Sequence, residues 1–143
     1  MRESVFVDSW AWIATVNPKD GSHEVAKAAF ETLKSEGVLF VTSNLVLAES
    51  ITYLRREGVS ADAIAGWSRN LSTASENGNP RIVDITAGDL LTTFATKPRF
   101  GDKPDFTAVD ITIADFSRAN QIRRIFTADA DFTKIGMGFV LVP

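Results

Sequence analysis

The chain of 143 residues contains no cysteine, which removes disulfide staples, thiolate nucleophiles and cysteine-ligated zinc from the available chemistry. Histidine is almost as scarce. His23 is the only one, placed in the polar opening "KDGSHEVAKAAF" of an expected helix, where a plain surface role is its ordinary reading. A Ser/His/Asp triad or a His-rich metal centre therefore has almost no material to form from. No apolar run approaches the ~20 residues needed to cross a bilayer. The opening "MRESVFVDSW" also lacks the apolar core and small-residue cleavage site of a secretory leader, so a cytoplasmic protein without membrane attachment is expected. An excess of basic charge is missing as well: 15 Lys+Arg face 18 Asp+Glu, for a net charge of −3. That balance argues against broad coating of nucleic acid and leaves local basic patches as the alternative. Nucleotide-loop signatures are absent. No GKS or GKT occurs, "GMG" at 136–138 precedes a strand rather than opening a helix, and "VDSW" lacks the second acid of an Asp-x-Asp phosphatase motif.

What is present is a soluble globular composition, 45% apolar and 23% charged, in a length that suits one domain over residues 1–143. Apolar strands alternate with amphipathic helices. "SVFVD" reads as a buried strand followed by the helical turn "SWAWIATV" and a break at Asn17-Pro18. "SHEVAKAAFETLKSEG" carries Val25, Ala29 and Leu33 at helical spacing and stops at Gly37. "VLFVTS" is a second strand. Ser43 or Asn44 is placed to cap the helix "LVLAESITYLRREG", and Ser60 to cap "ADAIAGWSRNLSTA". "RIVDI" is a third strand, and Thr86 opens "AGDLLTTFAT", with Leu90, Leu91 and Phe94 on one side. After the loop "KPRFGDKP" come the helix "DFTAVDITIADFSRAN", the strand "IRRIFTAD", the short turn "DFTKI" and the closing strand "GFVLVP". Strands apolar on both faces, separated by helices, predict an α/β fold: a mostly parallel central sheet covered by helices. Ligand sites in such sheets lie beyond the carboxyl ends of the strands.

Most acids, including Glu31, Glu36, Glu57 and Asp62, fall on polar helix faces or ends. Four do not. Asp8 ends an apolar β-branched strand, and Asp129 in "TAD" follows another, so both sit at the sheet edge where ligands bind. Glu49 shares a helix face with Leu45, Thr52 and Tyr53, read as the buried side, and Asp110 lies between Phe106 and Ile113 on its own helix. Each has a plain structural alternative. Asp8 suits a helix cap for "SWAW", Glu49 a pair with Arg55 or Arg56, and Asp110 a pair with Arg99 or Lys103. Asp131, also in "TADADF", competes with Asp129 for the fourth place or caps the short helix after it. If four carboxylates converge, their repulsion demands a cation, and hard oxygen donors suit Mg²⁺ or Mn²⁺. Metal-assisted phosphoryl transfer by water is the chemistry such a site performs.

In order and spacing, "VFVDSWAWI", "VTSNLVLAES", "AVDITIADFSRANQIRRIFTADADF" and "GFVLVP" resemble the PIN domain, most closely toxin ribonucleases of the VapC type. The resemblance spans almost the whole chain. It implies a three-layer fold with about five parallel strands, and it matches Asp8, Glu49, Asp110 and Asp129 to the family's acidic quartet around Mg²⁺ or Mn²⁺. Asp8 and Asp110 would be direct ligands, Glu49 would orient or deprotonate the attacking water, and Asp129 would serve a second ion or an outer water. Ser9 and Thr127 match the polar residues that accompany these acids. Single-stranded RNA as substrate, a homodimer and a small antitoxin protein are also implied. Two other readings stay open: a housekeeping PIN nuclease in RNA maturation, and a catalytically silent RNA- or partner-binding domain. The loop "KPRFGDKPDF" with Arg55 and Arg56 is a candidate RNA contact, and Trp10, Trp12 and Trp67 belong to the core or to a partner contact.

Overall fold

The computed structural model describes residues 2–96 and 106–143; the loop assigned to residues 97–104, with Arg99 and Lys103, lies outside them. The elements run β1 (Ser4–Val7), α1 (Ser9–Val16), α2 (His23–Ser35), β2 (Leu39–Ser43), α3 (Asn44–Arg56), α4 (Ala61–Glu76), β3 (Arg81–Val83), α5 (Ala87–Thr96), α6 (Ala108–Ala119), β4 (Arg124–Phe126), α7 (Asp131–Lys134) and β5 (Val140–Val142). The five strands form one sheet in the order β3-β2-β1-β4-β5, and all four neighbouring pairs are parallel. Parallel neighbours cannot be joined by tight hairpins, so every connection carries helix over the sheet. The expected α/β architecture is the one observed.

This strand order decides where a site can form. The chain winds outward from β1 through β2 to β3, then returns to place β4 on the other side of β1. The sheet therefore changes direction between β1 and β4, and a crevice opens beyond their carboxyl ends. Val7 is paired with Phe126, so the residues that follow each strand, Asp8 and Thr127, emerge side by side.

Local signals set the helix ends. Ser43 Oγ accepts from Val46 N at 3.2 Å, and Ser60 Oγ accepts from Ala63 N at 3.1 Å. Asn44, the other candidate cap, instead accepts from Ile85 N at 2.8 Å. Gly37, at φ +72° just past the end of α2, takes the left-handed conformation that terminates helices and favours glycine.

An aromatic cluster forms part of the core. Phe30 packs at a tilt against Phe126 at 4.6 Å between centroids, against Phe40 at 5.3 Å and against Trp12 at 5.3 Å. Trp12 is buried, and its indole N–H donates to Thr42 Oγ1 at 3.2 Å. Trp67 packs on Trp12, and Trp10 on Phe126. Two expected stripes are corrected. Val25 is exposed, and α2 instead turns Ala26, Phe30 and Leu33 inward, because the Phe30 ring enters the aromatic cluster. On α5, Leu91 and Phe94 are exposed while Thr93 is buried, its hydroxyl donating to Asp115 Oδ2 at 3.0 Å. A polar contact with α6 orients that helix, so apolar periodicity misreads its inner face.

Candidate active site

Four elements deliver one acid each to the crevice. Asp8 follows β1, Glu49 lies in the second turn of α3, Asp110 is in the first turn of α6, and Asp129 follows β4. All four line an open cleft of about 450 Å³, together with Ser9, Trp10, Ile13, Tyr53, Thr107, Thr127 and Ala128. The acids are tied together by hydroxyl groups. Thr127 Oγ1 donates to Asp8 Oδ2 at 2.8 Å across 119 residues of chain, and itself accepts from Asp129 N at 3.1 Å. Ser9 Oγ donates to Glu49 Oε1 at 2.7 Å and lies 3.4 Å from Asp8 Oδ1.

Asp8 has both a local and a long-range role. It is the N-cap of α1, with Oδ1 accepting from Ser9 N at 2.7 Å, so the cap alternative and the cleft position coexist. Each of its oxygens accepts one strong hydrogen bond and keeps a second lone pair for another ligand. Asp110 is held by a reciprocal capping box. Thr107 N donates to Asp110 Oδ2 at 3.0 Å, and Thr107 Oγ1 accepts from Asp110 N at 3.2 Å. The sequence signal for this was "TAVD", a Thr with an acid three residues on, immediately before an apolar helix. The expected pairing of Asp110 with Arg99 or Lys103 lies outside the described residues.

Glu49 corrects the reading of α3. The buried face of that helix is Val46, Ser50 and Leu54, one position around from the face assigned from the sequence. Glu49 therefore stands half-buried at the boundary, and Tyr53 is 45% exposed. A helix over a concave crevice has one edge facing the core and the next facing the opening, and an acid placed there keeps its water. Asp131 is not part of the cleft lining. Its N–H donates to Asp129 Oδ1 at 2.9 Å, while its carboxylate sits 3.6 Å from Lys134 Nζ. Asp129 rather than Asp131 thus bridges β4 to α7, and Asp131 is the first residue of that helix rather than its cap, a position held by Ala130.

The crowding of acids has an electrostatic signature. Burial, and then the charges of Glu49 and Asp129, push Asp8 up to about 6, against the downward pull of the Thr127 and Ser9 hydrogen bonds. Burial first, and next the charge of Asp8, push Asp110 up to about 7, against the downward pull of Thr107. Two buried carboxyls near neutrality beside two further acids form a site that costs free energy when fully ionised. Among the described residues no group of three or more acidic or histidine side chains is gathered into a metal cluster. The donor set still suits a hard divalent cation. It consists of carboxylate oxygens backed by hydroxyls, without sulfur or imidazole, and its repulsion is the kind that a cation relieves.

Thr107 gives the first expectation. Thr107→Ala should destabilise the fold by about 1 kcal/mol through loss of the cap. If Asp110 holds a divalent cation, freeing its carboxylate should also weaken Mn²⁺ binding by about tenfold, the usual loss when a ligand's supporting hydrogen bond is removed. Thr107→Ser should restore both, as read by thermal melts and by calorimetric Mn²⁺ titration.

A parallel sheet with its crevice between β1 and β4, ringed by acids from four separate elements, defines the class. The PIN domain model matches residues 5–137, and the chain belongs to the PIN domain family. Within that family the chain is similar to a VapC toxin. The crystal structure of Mycobacterium tuberculosis VapC20, a sarcin–ricin-loop-cleaving toxin, matches with a TM-score of 0.77 and 28% sequence identity, over 97% of this chain and 99% of that one. No curated protein matches the chain by sequence. Among the described residues no helix is long and apolar enough to cross a membrane.

Proposed function

We propose that the protein is an Mg²⁺- or Mn²⁺-dependent endoribonuclease that hydrolyses phosphodiester bonds of single-stranded RNA, and that it is the toxin of a toxin–antitoxin pair. The observation that carries this reading is the convergence of Asp8, Glu49, Asp110 and Asp129 on one open cleft. Asp8 and Asp110 would hold the cation directly. Both are buried, both are raised toward neutrality, and both have one face fixed by hydrogen bonds from Ser9, Thr127 and Thr107. Asp129, anchored by its backbone on the Thr127 hydroxyl, would serve a second ion or an outer-sphere water. When bound, the cation supplies charge neutralisation at the phosphate and lowers the pKa of water.

Glu49 would handle the proton. It is half-buried and open to solvent, and its Oε1 is occupied by the Ser9 hydroxyl, which leaves Oε2 to orient or deprotonate an incoming water. Ser9 keeps Glu49 at a set position relative to Asp8, so base and ligands move as one unit.

A small antitoxin partner, a homodimer and a cytoplasmic setting complete the proposal, supported by the likeness to a VapC toxin. The sarcin–ricin loop named for that relative is the first RNA to offer as substrate. In the deciding assay, single-stranded RNA is incubated with purified protein, with and without chelator. Cleavage that requires Mg²⁺ or Mn²⁺ and disappears in Asp110→Asn is expected. Undiminished cleavage in chelator would overturn the metal assignment.

A further inference from the structure

Glu49, Tyr53 and Arg56 lie at i, i+4 and i+7 along one face of α3, which places Tyr53 about 6 Å and Arg56 about 10 Å beyond Glu49 along the helix axis. The three residues lead from the acids outward to solvent. Tyr53 is the only tyrosine of the chain, it lines the cleft, and it is 45% exposed. The Arg56 guanidinium carbon stands 5.7 Å from the centroid of its ring. Arg55 faces elsewhere, into a hollow it shares with Val59, Ala61 and Ile64.

A single exposed aromatic on a surface needs no explanation. This one differs in its setting. The cleft lining holds no lysine or arginine among the described residues, so four acids meet an anionic polymer without a cationic side chain in the lining. Arg56, over the Tyr53 ring, adds positive charge beside an aromatic side chain that is itself part of the lining. Proteins that bind single strands combine these two elements, an aromatic face on which an unstacked base lies and an arginine beside it.

We infer that Tyr53, backed by Arg56, is the stacking platform for one unpaired base adjacent to the bond being cut, a nucleobase subsite on the rim of the cleft. The inference rests on the reading of the cleft as a ribonuclease site. It also predicts that the enzyme needs a base, of any identity, at that position, because every base has a π-face and the platform offers no pattern of base-edge hydrogen bonds.

The experiment uses the full chain with Mn²⁺ and a short single-stranded RNA that it cleaves, together with the same RNA carrying an abasic nucleotide at successive positions around the cut. Tyr53→Ala should raise KM about tenfold, and Tyr53→Phe should stay within about twofold of wild type. Mn²⁺ affinity should be unchanged in both. One abasic position should impair the wild type and leave Tyr53→Ala no worse. In 3-fluorotyrosine-labelled protein, the lone ¹⁹F resonance should shift with intact RNA and much less with that abasic RNA. If the wild type cleaves RNA while Tyr53→Ala keeps its KM and no abasic position distinguishes the two, the platform is overturned and the ribonuclease reading stands. If the wild type cleaves no RNA with either metal, both fall. If Tyr53→Ala instead dissociates a dimer without changing KM, the residue belongs to a protein contact and the inference is wrong.

Discussion

Asp8→Asn is expected to lower kcat/KM for RNA by about 10³-fold or more, while leaving the metal-free protein at least as stable as the wild type at pH 8. Under the proposed reading, the loss follows from removal of a charge that would hold the cation in the cleft, where metal-assisted charge stabilisation would supply several kcal/mol. The retained stability follows from what Asn preserves. As an N-cap, asparagine is as good as aspartate, so the hydrogen bond from Ser9 N to the side chain survives. The Thr127 hydroxyl, which donates to Asp8, has only to turn and accept from the new amide. Meanwhile a buried charge that faces Glu49 and Asp129 is gone. If the acids served structure alone, the result would be reversed: stability lost and no metal-linked activity to lose. Activity assays beside thermal melts of the same preparation decide between the two, and wild-type rates in Asp8→Asn would remove Asp8 from the catalytic centre.

The second large effect is on stability against pH. Asp8 and Asp110 titrate near 6 and 7 in the fold, against 3.8 unperturbed. Between pH 4 and 7 the folded chain therefore binds more protons than the unfolded one, and the sign of linkage makes stability fall as pH rises. Their joint effect is a destabilisation on the order of several kcal/mol, complete only above about pH 8. Melting in chelator should accordingly drop by about 5 °C or more between pH 5 and 8, measured relative to an Asp8→Asn, Asp110→Asn double variant. Saturating Mn²⁺ should raise the wild-type melting temperature at pH 8 far more than at pH 5, by mass action on the folded state. A double variant with the same pH slope as the wild type would show that these carboxyls are not the groups responsible.

The parts of this molecule legible in the sequence are those encoded over a few residues. Ser43, Ser60 and Gly37 mark helix ends because capping hydrogen bonds and a positive φ are local requirements. Alternation of apolar strands with helices predicted a parallel sheet because strands covered on both faces leave no polar side to see. Asp8 and Asp129 stood out because each follows an apolar strand at the edge where ligands collect. The misreadings were of helix faces. Val25, Tyr53 and Leu91 are as apolar as their buried neighbours, and a helix rotated by one residue hides or exposes them with little change in its periodic pattern. What turned α2 and α5 was a partner far along the chain, the Phe30 ring's contact with Phe126 and the Thr93 bond to Asp115.

The sequence by itself determined which acids were available, which elements carried them and which chemistries had no residues to perform them. The tertiary structure alone decided that four carboxylates from four elements open into one cleft, that Asp131 stands outside it, and that Thr107 and Tyr53 stand within its lining. The reason is the strand order: returning the chain to lay β4 against β1 is a long-range choice made by the burial of both sheet faces, and no window of a few residues contains it.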